Sequence, residues 1–121
     1  MIDHIAVPVS DFERSKEFYL NALAPLNYTL IMEHGISGAG FGLDTKPNFW
    51  IQNKLNIAPI HVAFSGESRA VVDAFYKAAL AAGGKDNGKP GVRTEYHPTY
   101  YGAFIIDPDG HNIEAVCHIP E

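Results

Sequence analysis

The stretch His4-Ile5-Ala6-Val7 returns later in the chain as His61-Val62-Ala63-Phe64, and this recurrence decides how the fold is interpreted. At the same offset, Phe18-Tyr19 is matched by Phe75-Tyr76. Matches at one fixed offset favour two copies of a single structural unit. Independent strand-then-helix patterning in the two halves is the alternative explanation.

Each half begins with a short apolar strand, which is followed by a helix and three further strand-like stretches. In the first half, residues 2–9 are predicted to form a strand and residues 10–24 a helix. Ser10 and Glu13 have the spacing of a capping box, in which each side chain satisfies a free amide of the first helical turn. Pro25 ends the helix, and strands are predicted over 28–33, 38–44 and 49–52.

The second half repeats this order with a less regular middle. A strand over 59–65 and a helix over 68–82 precede a weak strand at 92–95 and clear strands at 100–106 and 112–119. Asp107-Pro108-Asp109-Gly110 is a tight-turn sequence that joins the last two strands. The Gly- and Lys-rich segment 83–91 is predicted to be a mobile surface loop, and His111 is predicted to be solvated.

These elements predict one α+β domain over residues 1–121, with a β-α-β-β-β unit in each of two modules, about 1–54 and 58–121. Side chains alternate between the two faces of a strand, and the apolar positions share the face that a helix covers. This alternation turns His4, His61 and Glu114 towards the opposite face of the sheet.

Two imidazoles and one carboxylate leave half of a coordination sphere open for substrate or water. Such a set suits Fe(II), Mn(II), Ni(II), Co(II) or Zn(II) at a catalytic centre. Taken singly, each histidine has a simpler explanation as a ring bonded to a nearby carbonyl, and Glu114 as a solvated side chain. The equivalence of His4 and His61 in the repeat favours the metal site.

Composition restricts the functions that the chain can have. Its 121 residues are 46% hydrophobic and 19% charged, which is ordinary for a globular domain. The net charge of −5 and the scattered basic residues argue against a nucleic-acid or anionic-membrane surface. No apolar run spans a bilayer, no secretory signal is recognisable, and the single Cys117 cannot form an internal disulfide. A cytoplasmic protein is expected.

The repeated H-[IV]-A-[VF] stretches, the Phe-Tyr pair on each helix and the closing D-P-D-G-H-N-I-E of residues 107–114 resemble the vicinal-oxygen-chelate superfamily. This family includes glyoxalase I, extradiol dioxygenases, fosfomycin-resistance thiol transferases and bleomycin-binding proteins. The resemblance covers essentially the whole chain. It implies an open, cupped, eight-stranded mixed barrel flanked by helices, and a homodimer in which metal ligands often come from both chains. By position, it places the metal ligands at His4, His61 and Glu114.

The chain departs from the glyoxalase I pattern on the last strand of the first module. Glyoxalase I relatives carry a fourth, catalytic carboxylate ligand there, whereas this chain has Phe49-Trp50-Ile51-Gln52. A glutamine can act as a ligand but not as a base. Typical lactoylglutathione lyase activity is therefore not expected.

The predicted function is that of a divalent-metal-dependent enzyme acting on a small substrate that chelates the ion through oxygen. Lyase or isomerase, thiol transferase and dioxygenase chemistry share this scaffold, and glutathione or another thiol is a candidate co-substrate. The candidate catalytic residues are Glu114, Tyr101 and His97, and the candidate substrate-binding residues are Trp50, Phe41 and Phe104. The alternative is a non-catalytic, bleomycin-resistance-like protein that holds a small molecule in the same cup.

Overall fold

Two four-stranded mixed sheets and two helices make up the protein, and the computed structural model describes all of residues 1–121. The helices are α1 Phe12–Ala22 and α2 Arg69–Ala81, with a short 3-10 turn at Ala24–Leu26. The strands are β1 Ile5–Val9, β2 Thr29–Glu33, β3 Gly38–Leu43, β4 Lys46–Asn53, β5 His61–Ser65, β6 Lys85–Val92, β7 Tyr101–Ile106 and β8 Asn112–Cys117. Neither helix is long and apolar enough to cross a membrane.

The two sheets share one topology. Their strand orders are β1-β4-β3-β2 and β5-β8-β7-β6, so the first strand of each unit pairs with the last. That pairing is parallel in both sheets, and the other neighbours are antiparallel. Neither sheet closes on itself, and the predicted fold class, an open cupped barrel built from two β-α-β-β-β units, is confirmed.

One hydrophobic core fills the space between the helices and the sheets. Tyr19 of α1 packs against Phe49 of β4, with 4.9 Å between the ring centroids. Phe64 of β5 lies 5.1 Å from Phe49, so the core is continuous from the first sheet to the second. Phe41 is fully buried in this cluster. The suggestion that Phe41 forms a wall of the substrate pocket is therefore wrong, because its ring faces the core.

Helix α1 begins at Phe12, two residues later than the predicted start at residue 10. Asp11 is the N-cap, and its carboxylate accepts a hydrogen bond from the amide of Arg14. The capping box predicted for Ser10 and Glu13 is absent, because the Ser10 amide and hydroxyl donate to the carboxylate of Asp109 from the second half of the chain. In a capping box the Ser10 amide would donate to the Glu13 carboxylate; here that amide is bonded to Asp109, and Asp11 caps the helix instead.

The segment predicted to be a mobile loop over 83–91 is largely a strand. β6 runs over Lys85–Val92 and pairs with β7 through two register shifts, while the weak strand predicted at 92–95 is not formed. An edge strand with one side unpaired tolerates Gly and Pro, which explains how this sequence fits a sheet. Hydrogen bonds from β7 therefore override the local preference of the segment.

The hairpin between β7 and β8 connects the two halves of the molecule. His111 is fully buried rather than solvated, because its Nδ1 accepts from the Ile60 amide and its Nε2 donates to the Pro8 carbonyl, 2.7 Å away. The hydroxyl of Tyr19 donates to the carboxylate of Asp107 at 2.5 Å. These bonds, one buried and two partly buried, fix the closing motif against both α1 and β1.

Candidate functional site

Neighbouring parallel strands bring His61 and Glu114 together on the side of the second sheet that faces away from the helices. In the register of β5 and β8, Glu114 lies opposite Ala63, two positions along from His61. Nε2 of His61 lies 2.8 Å from Oε1 of Glu114. The structure thus joins two of the three side chains that the sequence assigns to a metal site.

The carboxylate of Glu114 is almost completely buried, with an imidazole and a phenol hydroxyl as its polar neighbours. Only 1% of the residue is exposed, whereas 51% of the His61 side chain is exposed. A buried carboxylate is costly unless a cation or hydrogen-bond donors compensate for lost hydration. Here Oε1 accepts from His61, and Oε2 accepts from the hydroxyl of Tyr100. The two oxygens therefore have separate donors, one of them open to solvent.

A glycine makes the contact between Tyr100 and Glu114 possible. A Cβ atom at Gly102 would lie 3.3 Å from Oε2 of Glu114 and 3.0 Å from the Tyr100 ring. Any larger residue would push the phenol and the carboxylate apart. Gly102 is buried between the two side chains, on the strand next to Glu114.

Burial raises the pKa of Tyr100 well above its usual value, and the hydrogen bond to Glu114 raises it further. The positive charge of Arg93 acts in the opposite direction but is the weakest influence. Tyr100 therefore stays neutral and donates a hydrogen bond to the carboxylate throughout the ordinary pH range. It orients Glu114 without adding a negative charge.

A cavity of about 320 Å³ opens onto this pair. Its lining consists of His61, Tyr96, Tyr100, Phe104 and Glu114. Phe104, predicted from the sequence as a substrate-binding residue, lies directly opposite Glu114 in the β7–β8 register. A wider cavity of about 400 Å³ lies on the other side of His61, between β1, β4 and β5. The first cavity holds the carboxylate, and we take it as the candidate site.

His4 lies apart from the pair within the chain. Its Nδ1 is 2.7 Å from a carboxylate oxygen of Asp3, and 55% of its side chain is exposed. Asp3 also binds Lys46, and these two hydrogen bonds, that of His4 first, lower the pKa of Asp3. No group of three metal-ligating side chains forms within one chain. The triad of His4, His61 and Glu114 thus stays a prediction. A third metal ligand would have to join His61 and Glu114 from elsewhere than the same chain.

Tyr101 and His97 are not brought to the site. The Tyr101 hydroxyl donates to Asp73 of α2 at 2.6 Å, because Tyr101 is on the helix-facing side of β7. His97 is exposed, and its Nδ1 accepts from the Thr99 amide. Trp50 stacks on His34 at 5.5 Å, on the first sheet. None of the three lines the cavity that holds Glu114.

The sequence puts forward Tyr101 as the catalytic tyrosine, whereas its neighbour Tyr100 is the one that reaches Glu114. The strand register carries the signal: Glu114 faces away from the helices, so Cys117, three positions further along β8, faces them, and Tyr101 lies opposite Cys117 in the sheet. Cross-strand partners in a sheet point to the same face. Tyr101 therefore belongs to the core side, and the preceding tyrosine is the one that can reach Glu114.

Comparison with known proteins agrees with this architecture. The model of the Glyoxalase/Bleomycin resistance protein/Dioxygenase superfamily matches residues 1–115. No curated protein sequence matches the chain. A crystal structure of a glyoxalase/bleomycin resistance protein from Albidiferax ferrireducens is 29% identical, with a TM-score of 0.80 over 95% of this chain and 96% of that one.

More distant solved structures share the fold. A glyoxalase/bleomycin resistance protein/dioxygenase family enzyme from Burkholderia phytofirmans is 16% identical, with a TM-score of 0.75 over 98% of both chains. A lactoylglutathione lyase from Agrobacterium tumefaciens is 14% identical, with a TM-score of 0.72 over 97% of this chain and 92% of that one. At such identities the likeness concerns architecture and leaves the reaction open.

Proposed function

The chain belongs to the Glyoxalase/Bleomycin resistance protein/Dioxygenase superfamily, and on this premise we propose that it is a divalent-metal-dependent enzyme whose centre is built on His61 and Glu114. The observation that carries the proposal is the 2.8 Å approach of Nε2 of His61 to a carboxylate oxygen that is almost completely buried. Its substrate is a small molecule that presents oxygen atoms to the ion.

The donor atoms fit a divalent transition metal. An imidazole nitrogen and a carboxylate oxygen are the ligands that Zn, Mn, Fe, Co and Ni accept in catalytic sites. Adjacent ligands at roughly 2.0–2.2 Å from one ion lie about 3 Å from each other. The separation of 2.8 Å between His61 and Glu114 is close to that value. A cation between them would also compensate the buried charge of Glu114.

A second copy of the chain is proposed to supply His4 as the third ligand. Asp3 engages Nδ1 of His4, which leaves Nε2 free on an exposed ring. A carboxylate bonded to the far nitrogen of an imidazole is the usual way to orient a metal-binding histidine. The absence of a complete ligand set within one chain agrees with a homodimer whose two centres each combine residues of both chains.

The chain's own residues orient the carboxylate of Glu114 and line the cavity around it. Tyr100 fixes the carboxylate of Glu114 by donating to Oε2, while the rings of Phe104 and Tyr96 form the apolar part of the cavity lining. A bound ion would supply Lewis-acid polarisation of a substrate oxygen. Trp50 of β4 pairs with Ala6 of β1. Typical lactoylglutathione lyase chemistry would need a carboxylate, as the fourth metal ligand, on this part of β4. The proposed centre is compatible with three types of reaction: isomerase or lyase, thiol transferase (with glutathione or another thiol) and dioxygenase.

Metal analysis of freshly purified protein tests the proposal. We expect close to one divalent ion per chain, lost in His61→Ala and in Glu114→Gln. His34→Ala is the matched control, because it removes an exposed imidazole that packs on Trp50 and should leave the metal content unchanged. A protein that contains no metal, takes up none on titration and still binds aromatic molecules would instead support the sequestering, bleomycin-resistance-like function.

A further inference from the structure

A second cavity, of about 290 Å³, adjoins the one that holds His61 and Glu114. The two cavities share Tyr96 and Phe104 as lining residues. The second also contains Arg93, Glu95 and Asn112. A small molecule bound at the first cavity would therefore extend past Phe104 towards a guanidinium group.

The guanidinium of Arg93 is held in place by its surroundings. Its Cζ atom lies 5.6 Å from the centre of the Phe104 ring, in a cation–π arrangement, and Nη2 donates to the Lys89 carbonyl at 2.6 Å. A Cβ atom at Gly88 would lie 3.3 Å from Nη2, and one at Gly91 would lie 3.0 Å from Nη1. The glycines of β6 thus leave the room that the guanidinium occupies.

This guanidinium has no acidic partner. None of the ion pairs in the structure includes Arg93, although Glu95 lines the same cavity. Only one of its donors, at Nη2, has an acceptor within the protein. Asn112, in the same cavity, has a buried Oδ1 atom without any hydrogen-bond partner. The cavity therefore offers donors on Arg93 that have no acceptor within the protein, whereas the unpaired Oδ1 of Asn112 is itself buried.

The geometry points to a substrate that carries an oxyanion group, a carboxylate or a phosphonate, which Arg93 binds while the rest of the molecule reaches the His61–Glu114 centre. This inference rests on the proposed function for the location of the reacting end. The planar fork of a guanidinium matches two oxygens of such a group.

The binding of small anions to metal-free protein tests the inference. Methylphosphonate and acetate are titrated separately into ¹⁵N-labelled protein after chelator treatment, and the dissociation constant is read from chemical-shift changes. A single guanidinium contact should give millimolar affinity for at least one anion, with the largest shifts at Arg93, Tyr96 and Phe104. Comparison of the two anions identifies the preferred group. Loss of the charge-assisted bonds in Arg93→Gln should weaken binding about tenfold.

Lys89→Gln is the matched control, because it removes the same charge from the same segment while its backbone carbonyl still accepts from Arg93. Its affinity should stay unchanged. Absence of saturable binding of both anions, shifts centred on Lys85 and Lys89, or equal weakening in both variants would overturn the inference. Because no metal takes part in this titration, loss of anion binding and loss of metal binding are separate results. Where a variant does not fold, the chemical-shift map of the wild-type protein still shows whether the anion binds at Arg93.

Discussion

Replacing Tyr100 with phenylalanine removes one hydrogen bond and little else. The ring keeps its edge contacts with Tyr96 and His118, at centroid distances of 5.0 and 5.2 Å. Oε2 of Glu114 loses its donor, so only the bond between Oε1 and His61 still orients the carboxylate. We expect weaker metal binding, since an unoriented ligand must lose additional freedom when it coordinates an ion.

The size of the effect follows from the kind of bond. Hydrogen bonds to charged groups contribute about 1.5–3 kcal/mol, and loss of a partner behind a metal ligand weakens binding by roughly 10–100-fold. Each tenfold change corresponds to about 1.4 kcal/mol, so these two ranges agree. Because Tyr100 is only half-buried, solvent can replace part of the lost bond. A weakening of about tenfold is therefore expected.

Calorimetric titration with Mn²⁺ measures the effect directly. Tyr101→Phe is the control, because it removes the same atom from the adjacent residue, whose hydroxyl donates to Asp73 on the helix side. Its metal affinity should equal that of the wild type. Unchanged affinity in Tyr100→Phe, or equal weakening in the two variants, would refute the assignment of Tyr100 to the site.

Three further substitutions test the structure around the site. Tyr19→Phe should lower the free energy of unfolding by about 1–3 kcal/mol at pH 7, because Asp107 loses a buried donor. Burial and then Asp107 raise the pKa of Tyr19 above 10, so the wild type should lose stability as pH rises above that value, and a urea titration at alkaline pH should show a smaller loss in the variant. His111→Ala should cost about 1–3 kcal/mol in the same assay, since it leaves two partly buried backbone groups without partners. In Gly42→Ala the new Cβ would lie 2.4 Å from the Lys46 carbonyl oxygen, and a lower melting temperature than in Gly38→Ala, where the nearest atom is 3.4 Å away, is expected.

The architecture was predictable because its determinants are local and repeated. Alternation within β1 and β8 buries Val7, Val9, Ile113 and Ala115 as expected, and the recurrence of one motif indicates two equivalent units. Strand β6 was not predictable, since its Gly, Pro and Lys residues favour a loop and only the ladder with β7 makes it a strand. His111 escaped prediction for the same reason: its partners lie at Ile60 and Pro8, far away in sequence.

The candidate site divides in a similar way. Face alternation and the repeat were enough to join His61 with Glu114, because both lie in regular strands that pair directly. Choosing between Tyr100 and Tyr101 required the cross-strand register, and a shift of one residue selects the opposite face. His4 directly precedes β1, a strand of the other sheet, so its distance from the pair depends on how sheets and chains assemble, which no local pattern encodes.

Metal binding by hybrid dimers tests the central claim, a centre shared between two copies of the chain. His4→Ala and Glu114→Gln variants, carrying different affinity tags, are produced separately and together, and the purified hybrids are analysed for bound metal. Neither variant alone should retain the ion. A shared centre predicts that each hybrid regains one metal, because His4 of the Glu114→Gln chain then meets His61 and Glu114 of the His4→Ala chain. Hybrids that form but remain free of metal would contradict the account.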